Sequence, residues 1–276
     1  MNPTEVLQFI GIPVLIATGV IMLSWWILPS KRLQPLGAVL AVGISCFIAF
    51  VLQEGVPSVP PIQKWHWLAL TVLLVSLLAC LYPLYRGWDE CIVLQAIIAG
   101  VIAAVLMQFP SQSALYERCI VFLMVLIVCV GLRRLTIPPW HMYVASWWIL
   151  ACISFLAIQS NFAKLAFFTG AMSAVAAAIL TLQLIKPRET KSVQMIFGTL
   201  IVGCSLCGFA YDQNETIFKL AWFFPMVSIP LSATVYLLLK HHKYRAIFSL
   251  VIIDSIITIA VILSILSTHS QEEMWP

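Results

Sequence analysis

Charged side chains are scarce in this chain of 276 residues: 15 are lysine or arginine and 11 are aspartate or glutamate, together 9% of the total. A soluble protein is about 25% charged and roughly 45–50% apolar. Here hydrophobic residues make up 62% of the sequence. These fractions exclude a water-soluble globular protein and indicate an integral membrane protein that is surrounded by the lipid bilayer. The net charge of +4 is too small and too dispersed for nucleic-acid binding.

The chain also lacks the motifs that carry catalysis or hold cofactors. It contains no H-E-x-x-H, P-loop, G-x-G-x-x-G or G-x-S-x-G sequence in a supporting context. The eight cysteines lie in or beside apolar runs, and Cys204 and Cys207 have no second Cys or His pair at zinc spacing. For haem ligation only His141 could face His241 or His242, and interfacial positions suit these residues better. We therefore expect no enzyme, no metal site and no cofactor.

Long apolar stretches, bounded by charged residues, proline and glycine, account for nearly the whole length. A transmembrane helix needs about 20 residues, and the sequence predicts an all-α fold, a polytopic transmembrane helical bundle of about ten spans in a single domain, residues 1–276. The sixth span is the shortest, so nine spans with a re-entrant or interfacial sixth segment is the alternative. The predicted spans are 6–28, 35–53, 65–85, 90–109, 116–134, 141–158, 163–185, 193–210, 216–239 and 246–267.

Lysine and arginine alternate between the two sides of these spans. Only four lie on the side reached by even-numbered spans, namely Lys64, Arg118, Lys164 and Lys219. The other side holds eleven: Lys31, Arg32, Arg86, Arg133, Arg134, Lys186, Arg188, Lys191, Lys240, Lys243 and Arg245. Because positively charged residues stay cytoplasmic, we expect both termini on the non-cytoplasmic side, in the bacterial cytoplasmic (inner) membrane. Tryptophans near span ends, including Trp65 and Trp222, are expected to anchor the chain at the interface.

Ten spans with both ends on one side can be divided into two five-helix halves, 1–135 and 136–276, inverted relative to each other. Small residues at four-residue spacing mark three of the helices, and in lipid such stripes let helices approach closely. They predict packing faces, either within the bundle or against other membrane subunits. The stripes are Gly37, Ala41, Ser45 and Ala49; Ala96, Gly100 and Ala104; and Gly170, Ala174 and Ala178.

Asp254 is the one ionisable residue well inside a span. It lies eight residues beyond the start of the tenth span, which at 1.5 Å per residue is about 12 Å into a hydrocarbon core about 30 Å thick. A charged side chain at this depth costs about 2.5–3.5 kcal/mol, so Asp254 is expected to face a cavity or a partner. The alternative is a protonated side chain that hydrogen-bonds to a neighbouring hydroxyl or carbonyl group.

Two prolines, Pro225 and Pro230, interrupt the ninth span at a similar depth, and each removes an intrahelical hydrogen bond. Serines lie four residues apart on one face of this span, as Asp254 and Thr258 do in the tenth. A proline kink whose serines bond local carbonyl groups is one interpretation. In the other, the two faces meet in a midplane substrate-binding site that consists of Asp254, Thr258, Ser228 and Ser232.

Two functions follow from these observations. The first is a carrier for a small molecule or ion, whose substrate binds between the ninth and tenth helices. The second is a non-catalytic scaffold or accessory subunit of a larger membrane complex. The second is favoured by spans that are nearly uncharged and by the lack of any segment long enough for an extramembrane domain.

Overall fold

The structure is a computed structural model that describes residues 4, 7–28, 34–58, 60–61, 63, 65–81, 92–107, 114–136, 138–187, 193–212 and 216–272. Every regular element in these ranges is a helix. Eight helices are long and apolar enough to cross a membrane, and two further apolar helices are shorter. The prediction of an all-helical fold with several membrane-compatible helices is confirmed for the described residues.

The helices follow the predicted order closely. The bounds are α1 Leu7–Ile27, α2 Gln34–Glu54, α3 His66–Leu81, α4 Ile92–Leu106, α5 Leu115–Arg134, α6 Pro139–Gln159, α7 Ala163–Ile185, α8 Val193–Tyr211, α9a Thr216–Ala221, α9b Phe224–Leu238 and α10 Arg245–Glu272. The first turn of α1 is π-helical. The two shorter helices are α3 and α4, and the rest of their predicted spans, 82–85, 90–91 and 108–109, falls outside the described residues.

Helix α8 lies at the centre of the bundle. All its residues from Val193 to Gly208 are buried, and it packs mainly against α3, α5 and α6. Glycine makes this packing close: a Cβ atom on Gly208 would overlap the ring of Trp222, and one on Gly203 would overlap Leu68. Since lipid provides no hydrophobic drive for helix association, such close contacts must hold α8 in place.

Helix α10 lies at the periphery. It packs against α9b, α6 and α9a, but only 22% of its apolar stretch is buried. Large aliphatic side chains such as Val251, Ile259 and Ile262 point away from the bundle. An apolar surface of this kind suits a helix that faces hydrocarbon.

The ninth helix is broken ahead of its prolines rather than at them. A turn at Trp222 and Phe223 separates α9a from α9b. Pro225 then falls in the first turn of α9b, where the missing N–H group costs nothing. Pro230 lies inside α9b, and the hydroxyl group of Thr234 donates a hydrogen bond of 2.8 Å to its carbonyl oxygen.

A cluster at one end of the bundle joins α2, α3 and α7. Glu54, the last residue of α2, lies with its Oε2 atom 3.3 Å from Nε2 of His66, and its Oε1 atom pairs with Nζ of Lys164. The rings of Phe50 and Trp65 pack beside His66, with centroid distances of 5.0 Å and 5.1 Å to it. This cluster of Glu54, His66 and Lys164 brings together the two ends of the connection between α2 and α3.

Trp65 and Trp222 do not face lipid, whereas the sequence led us to expect this of interfacial anchors. They are only 3% and 0% exposed. The indole Nε1 atom of Trp222 donates a hydrogen bond of 2.7 Å to Oδ2 of Asp212, which is also buried. These rings fill gaps between helices, and an indole N–H group that finds a buried acceptor has no need of the interface.

Small-residue stripes pack the chain's own helices. Those of α2 and α4 are buried except for the half-buried Ala104, whereas that of α7 is half-buried throughout. A Cβ atom on Gly37 would overlap Ser24 of α1, and one on Gly100 would press on Phe122 of α5. Contacts with other subunits must therefore use other surfaces than the stripes of α2 and α4.

The predicted orientation depends on several basic residues that lie outside the described residues, namely Lys31, Arg32, Lys64, Arg86, Arg188 and Lys191. The sidedness of the termini and the count of about ten spans stay predictions. Helices of the two predicted halves pack together, α2 against α7 and α3 against α8, and the division at residue 135 also stays a prediction.

Candidate functional site

Asp254 and Thr258 lie on the outer face of α10. Burial follows the helical period: Ser249, Ile253 and Ile257 are buried against the bundle, whereas Asp254 and Thr258 are exposed. The candidate span runs from Arg245 to Leu266, so Asp254 is about 13 Å from its start. The carboxyl group is therefore exposed close to the middle of the span.

A groove between α6 and α10 contains this carboxyl group. It consists of two neighbouring recesses, of about 360 Å³ and 340 Å³, and both are lined by Trp148 and Asp254. Asp254 is the only charged side chain in the lining. The residues of this α6–α10 groove are Val144, Trp147, Trp148, Ala151, Cys152 and Phe155 from α6, and Ile247, Leu250, Val251, Ile253, Asp254, Ile257, Thr258 and Val261 from α10.

Asp254 differs from two other acidic residues in having no partner. Glu54 pairs with His66 and Lys164, and Asp212 accepts the hydrogen bond from Trp222. Asp254 makes no hydrogen bond or ion pair with any residue that the structure describes. A carboxyl group in an apolar groove without a donor loses the favourable contacts that water would supply.

Ser228 and Ser232 lie inside the bundle, and both are fully buried. Ser228 donates a hydrogen bond of 2.8 Å to the carbonyl oxygen of Pro225, in its own helix. Ser232 donates one of 2.9 Å to the carbonyl oxygen of Ser249, in α10. Both hydroxyl groups thus satisfy backbone carbonyl groups, and Ser232 also joins α9b to α10.

The structure brings the four predicted site residues together only in pairs. The lining of the groove includes Asp254 and Thr258 but neither serine. The reason is rotation along α10: the residue that meets Ser232 is Ser249, and five residues of helix place Asp254 about 140° further around the axis. Among the described residues, the groove is therefore lined by Asp254 and Thr258, whereas Ser228 and Ser232 lie on the inner side of the contact between α9b and α10.

A buried histidine completes the contact between α6, α9b and α10, and sequence reasoning missed it. His141 is fully buried, and its Nε2 atom lies 2.7 Å from the hydroxyl oxygen of Ser249. The hydroxyl group of Ser249 has one hydrogen, which it donates to the carbonyl oxygen of Ala246 at 3.0 Å. We therefore assign Nε2–H of His141 as the donor to the oxygen of Ser249. The ring also packs against Tyr236, at 5.5 Å between centroids. No spacing in the sequence links residues 141 and 249.

Several polar groups on α6 and α8 are buried without partners. The hydroxyl groups of Ser146, Thr199 and Ser205 and the amide oxygen of Gln194 have none among the described residues. The two helices are in contact, with the rings of Tyr143 and Phe197 6.1 Å apart. Buried polar groups of this kind require an explanation, such as ordered water or a ligand.

Comparison of the chain with protein-family models, with curated proteins and with solved structures finds no match. Within the described ranges, no group of three His, Cys, Asp or Glu side chains lies close enough together to hold a metal ion. The α6–α10 groove and the polar groups of α6 and α8 are therefore the two features on which a function can be based.

Proposed function

We propose that the protein is a non-catalytic scaffold or accessory subunit of a larger membrane assembly. The exposure of Asp254 in the middle of α10 carries this proposal. In a lone chain this face meets hydrocarbon, where an ionised carboxylate costs about 2.5–3.5 kcal/mol. A neighbouring membrane protein that covers the groove removes this cost by supplying polar contacts.

An ionised Asp254 side chain cannot reach the membrane surface. Long lysine and arginine side chains can extend from inside a membrane to its surface, but an aspartate side chain is too short to cover about 13 Å. The other side chains of the groove contribute mainly apolar surface, apart from Thr258. The described part of the chain therefore offers the carboxyl group no partner, and a second protein is the simplest source of one.

Photo-cross-linking in native membranes tests this function. A photoreactive amino acid at Val251, an exposed residue in the groove, is compared with one at Leu15, which is exposed on α1. We expect a protein adduct of discrete mass at Val251 that mass spectrometry identifies, and only lipid adducts at Leu15. Lipid adducts at both positions, together with a monomer in mild detergent, would contradict the proposal.

A carrier for a small molecule or ion is the second candidate. It is favoured by the unpartnered hydroxyl groups of Ser146, Thr199 and Ser205, because a hydrated path along α6 and α8 would satisfy them. The test is thiol accessibility in a chain whose native cysteines are replaced. A small water-soluble thiol reagent is expected to label Ser205→Cys but not Ile201→Cys if this path is hydrated, and to label neither if α8 is dry.

The predicted topology belongs to the same proposal. We propose about ten spans with both termini on the non-cytoplasmic side of a bacterial cytoplasmic membrane, supported by the split of basic residues between connections. The shorter helices α3 and α4 supply the two spans beyond the eight long ones. The test fuses to each terminus a reporter domain that is active only outside the cytoplasm. Both fusions are expected to be active.

A further inference from the structure

We propose that the α6–α10 groove receives a transmembrane helix of another protein, and that this helix carries a lysine or arginine level with Asp254. This inference rests on the proposed subunit function and adds the chemistry of the partner to it.

The shape of the groove fits a helix better than a compact ligand. Its two recesses lie side by side and meet at Trp148 and Asp254. Along α10 the lining runs from Ile247 to Val261, which is about 21 Å, or four helical turns. A small molecule would occupy one recess, whereas a helix that packs along α6 and α10 fills both and brings one of its side chains to Asp254.

The charge of the groove indicates the residue on that helix. One carboxyl group lies in an apolar lining, without a counter-ion among the described residues. Between hydrocarbon-facing helices, opposite charges attract far more strongly than in water. A lysine or arginine inside a membrane is as costly as an aspartate when it is alone, so each of the two residues removes the cost of the other.

A second copy of this chain cannot supply that basic residue. All 15 lysines and arginines lie in the connections or near the ends of the predicted spans, and none lies at the depth of Asp254. A symmetric pair of chains joined through this groove would place Asp254 against Asp254 or against aliphatic side chains. The complementary residue must come from a different protein.

The test uses the full chain, reconstituted in phosphatidylcholine vesicles with a fluorescent donor. The probe is a synthetic leucine-rich single-span helix with one central lysine and a fluorescent acceptor, and the matched probe has leucine in place of that lysine. We expect energy transfer to show at least tenfold tighter binding of the lysine probe. Asp254→Leu is expected to abolish this preference, and Ser255→Leu, which lies on the exposed face of α10 but outside the lining of the groove, is expected to keep it.

Exchanging the charges of residue 254 and of the probe distinguishes a lost interaction from a misfolded variant. Asp254→Lys is expected to lose the lysine probe and to bind a probe with a central aspartate instead, which a misfolded chain would not do. Equal binding of the lysine and leucine probes to the native chain would overturn the inference, as would a lysine preference that survives Asp254→Leu.

The same vesicles separate this inference from the proposed function. If copies of the chain labelled with donor and acceptor associate, and Asp254→Leu abolishes that association, the occupant is a second copy and the inference is wrong. If a protein cross-links at Val251 in native membranes but the lysine probe shows no preference, the subunit function stands and only the basic partner is wrong. If no protein cross-links at all, the proposed function itself fails.

Discussion

Helices α8 and α10 are both apolar and both long enough to span a membrane, but the more apolar of the two is the less buried. Helix α10 is the most apolar of the eight candidate spans, and only 22% of its apolar stretch is buried. Helix α8 is less apolar and carries Gln194, Thr199 and Ser205, and it is buried along nearly its whole length. A soluble protein would show the reverse order.

The difference follows from the solvent. Lipid chains are as apolar as leucine, so aliphatic side chains gain nothing by leaving the surface of the bundle. Glycine allows close contact between helices when it lies inside, as Gly203 and Gly208 do in α8. Asp254 contradicts this rule, because it carries the one carboxyl group in the middle of α10 and lies on the exposed face.

The largest effect is expected from Asp254→Leu. Replacing a carboxylate in the middle of a span by leucine should favour membrane insertion of α10 by about 3–4 kcal/mol. The measurement is the inserted fraction of α10 in a translocation assay, with Ser255→Leu, next to it on the exposed face, as the control. Equal effects of the two substitutions would mean that Asp254 is neither exposed nor charged during insertion.

Gly208→Ala tests how tightly α8 is packed. Its new methyl group would lie 2.2–2.4 Å from ring atoms of Trp222, and overpacking of this kind typically costs 1–3 kcal/mol. We expect a lower midpoint of thermal unfolding in detergent. Gly19→Ala in α1 is the matched control, since no atom lies within 4 Å of that Cβ position. Equal midpoints would show that α8 is loosely held.

His141→Leu tests the contact between α6 and the inner face of α10. It removes the hydrogen bond of 2.7 Å to Ser249, and a hydrogen bond of this type contributes about 1 kcal/mol. A lower free energy of unfolding is expected, measured by denaturation in mixed detergent micelles. His242→Leu is the control, because His242 is exposed. A destabilisation as large for His242 would contradict the buried position of His141.

Ser232→Ala should have the smallest effect. It removes the hydrogen bond of 2.9 Å that joins α9b to α10, and interhelical hydrogen bonds in membranes contribute about 0.6 kcal/mol on average. Ser255→Ala breaks only a bond to Val251 within α10, so its unfolding free energy is expected to match that of the native chain. A larger loss for Ser255 would show that the exposed face of α10 is covered.

The class of the protein and the positions of the helices could be predicted from the sequence, because apolar runs and their charged or proline-containing ends are local features. The unusual position of Asp254 was also accessible, since no other aspartate, glutamate, lysine or arginine lies so deep in a predicted span. The direction in which the Asp254 side chain points could not be predicted from the sequence. A helix that is apolar all round has no polar stripe to orient it, so the sequence paired Asp254 with Ser232 when the structure pairs Ser232 with Ser249.

Contacts between distant residues were equally inaccessible. Trp222 looked like an interfacial anchor by its position near a span end, but its burial depends on Gly208 in α8 and on Asp212 just after that helix. His141 likewise depends on Ser249. Such pairs depend on the tertiary arrangement, and no periodicity in a single sequence encodes them.

The cluster of Glu54, His66 and Lys164 makes the connection between α2 and α3 a suitable place to open the chain. Glu54 and His66 hold its two ends together whatever residues lie between them, and lengthening a closed loop costs little entropy. New chain termini or an inserted affinity tag at Gln63 should therefore leave the helices assembled. A chain with the tag inserted at this position would carry the label beside α7 while both natural termini remain free.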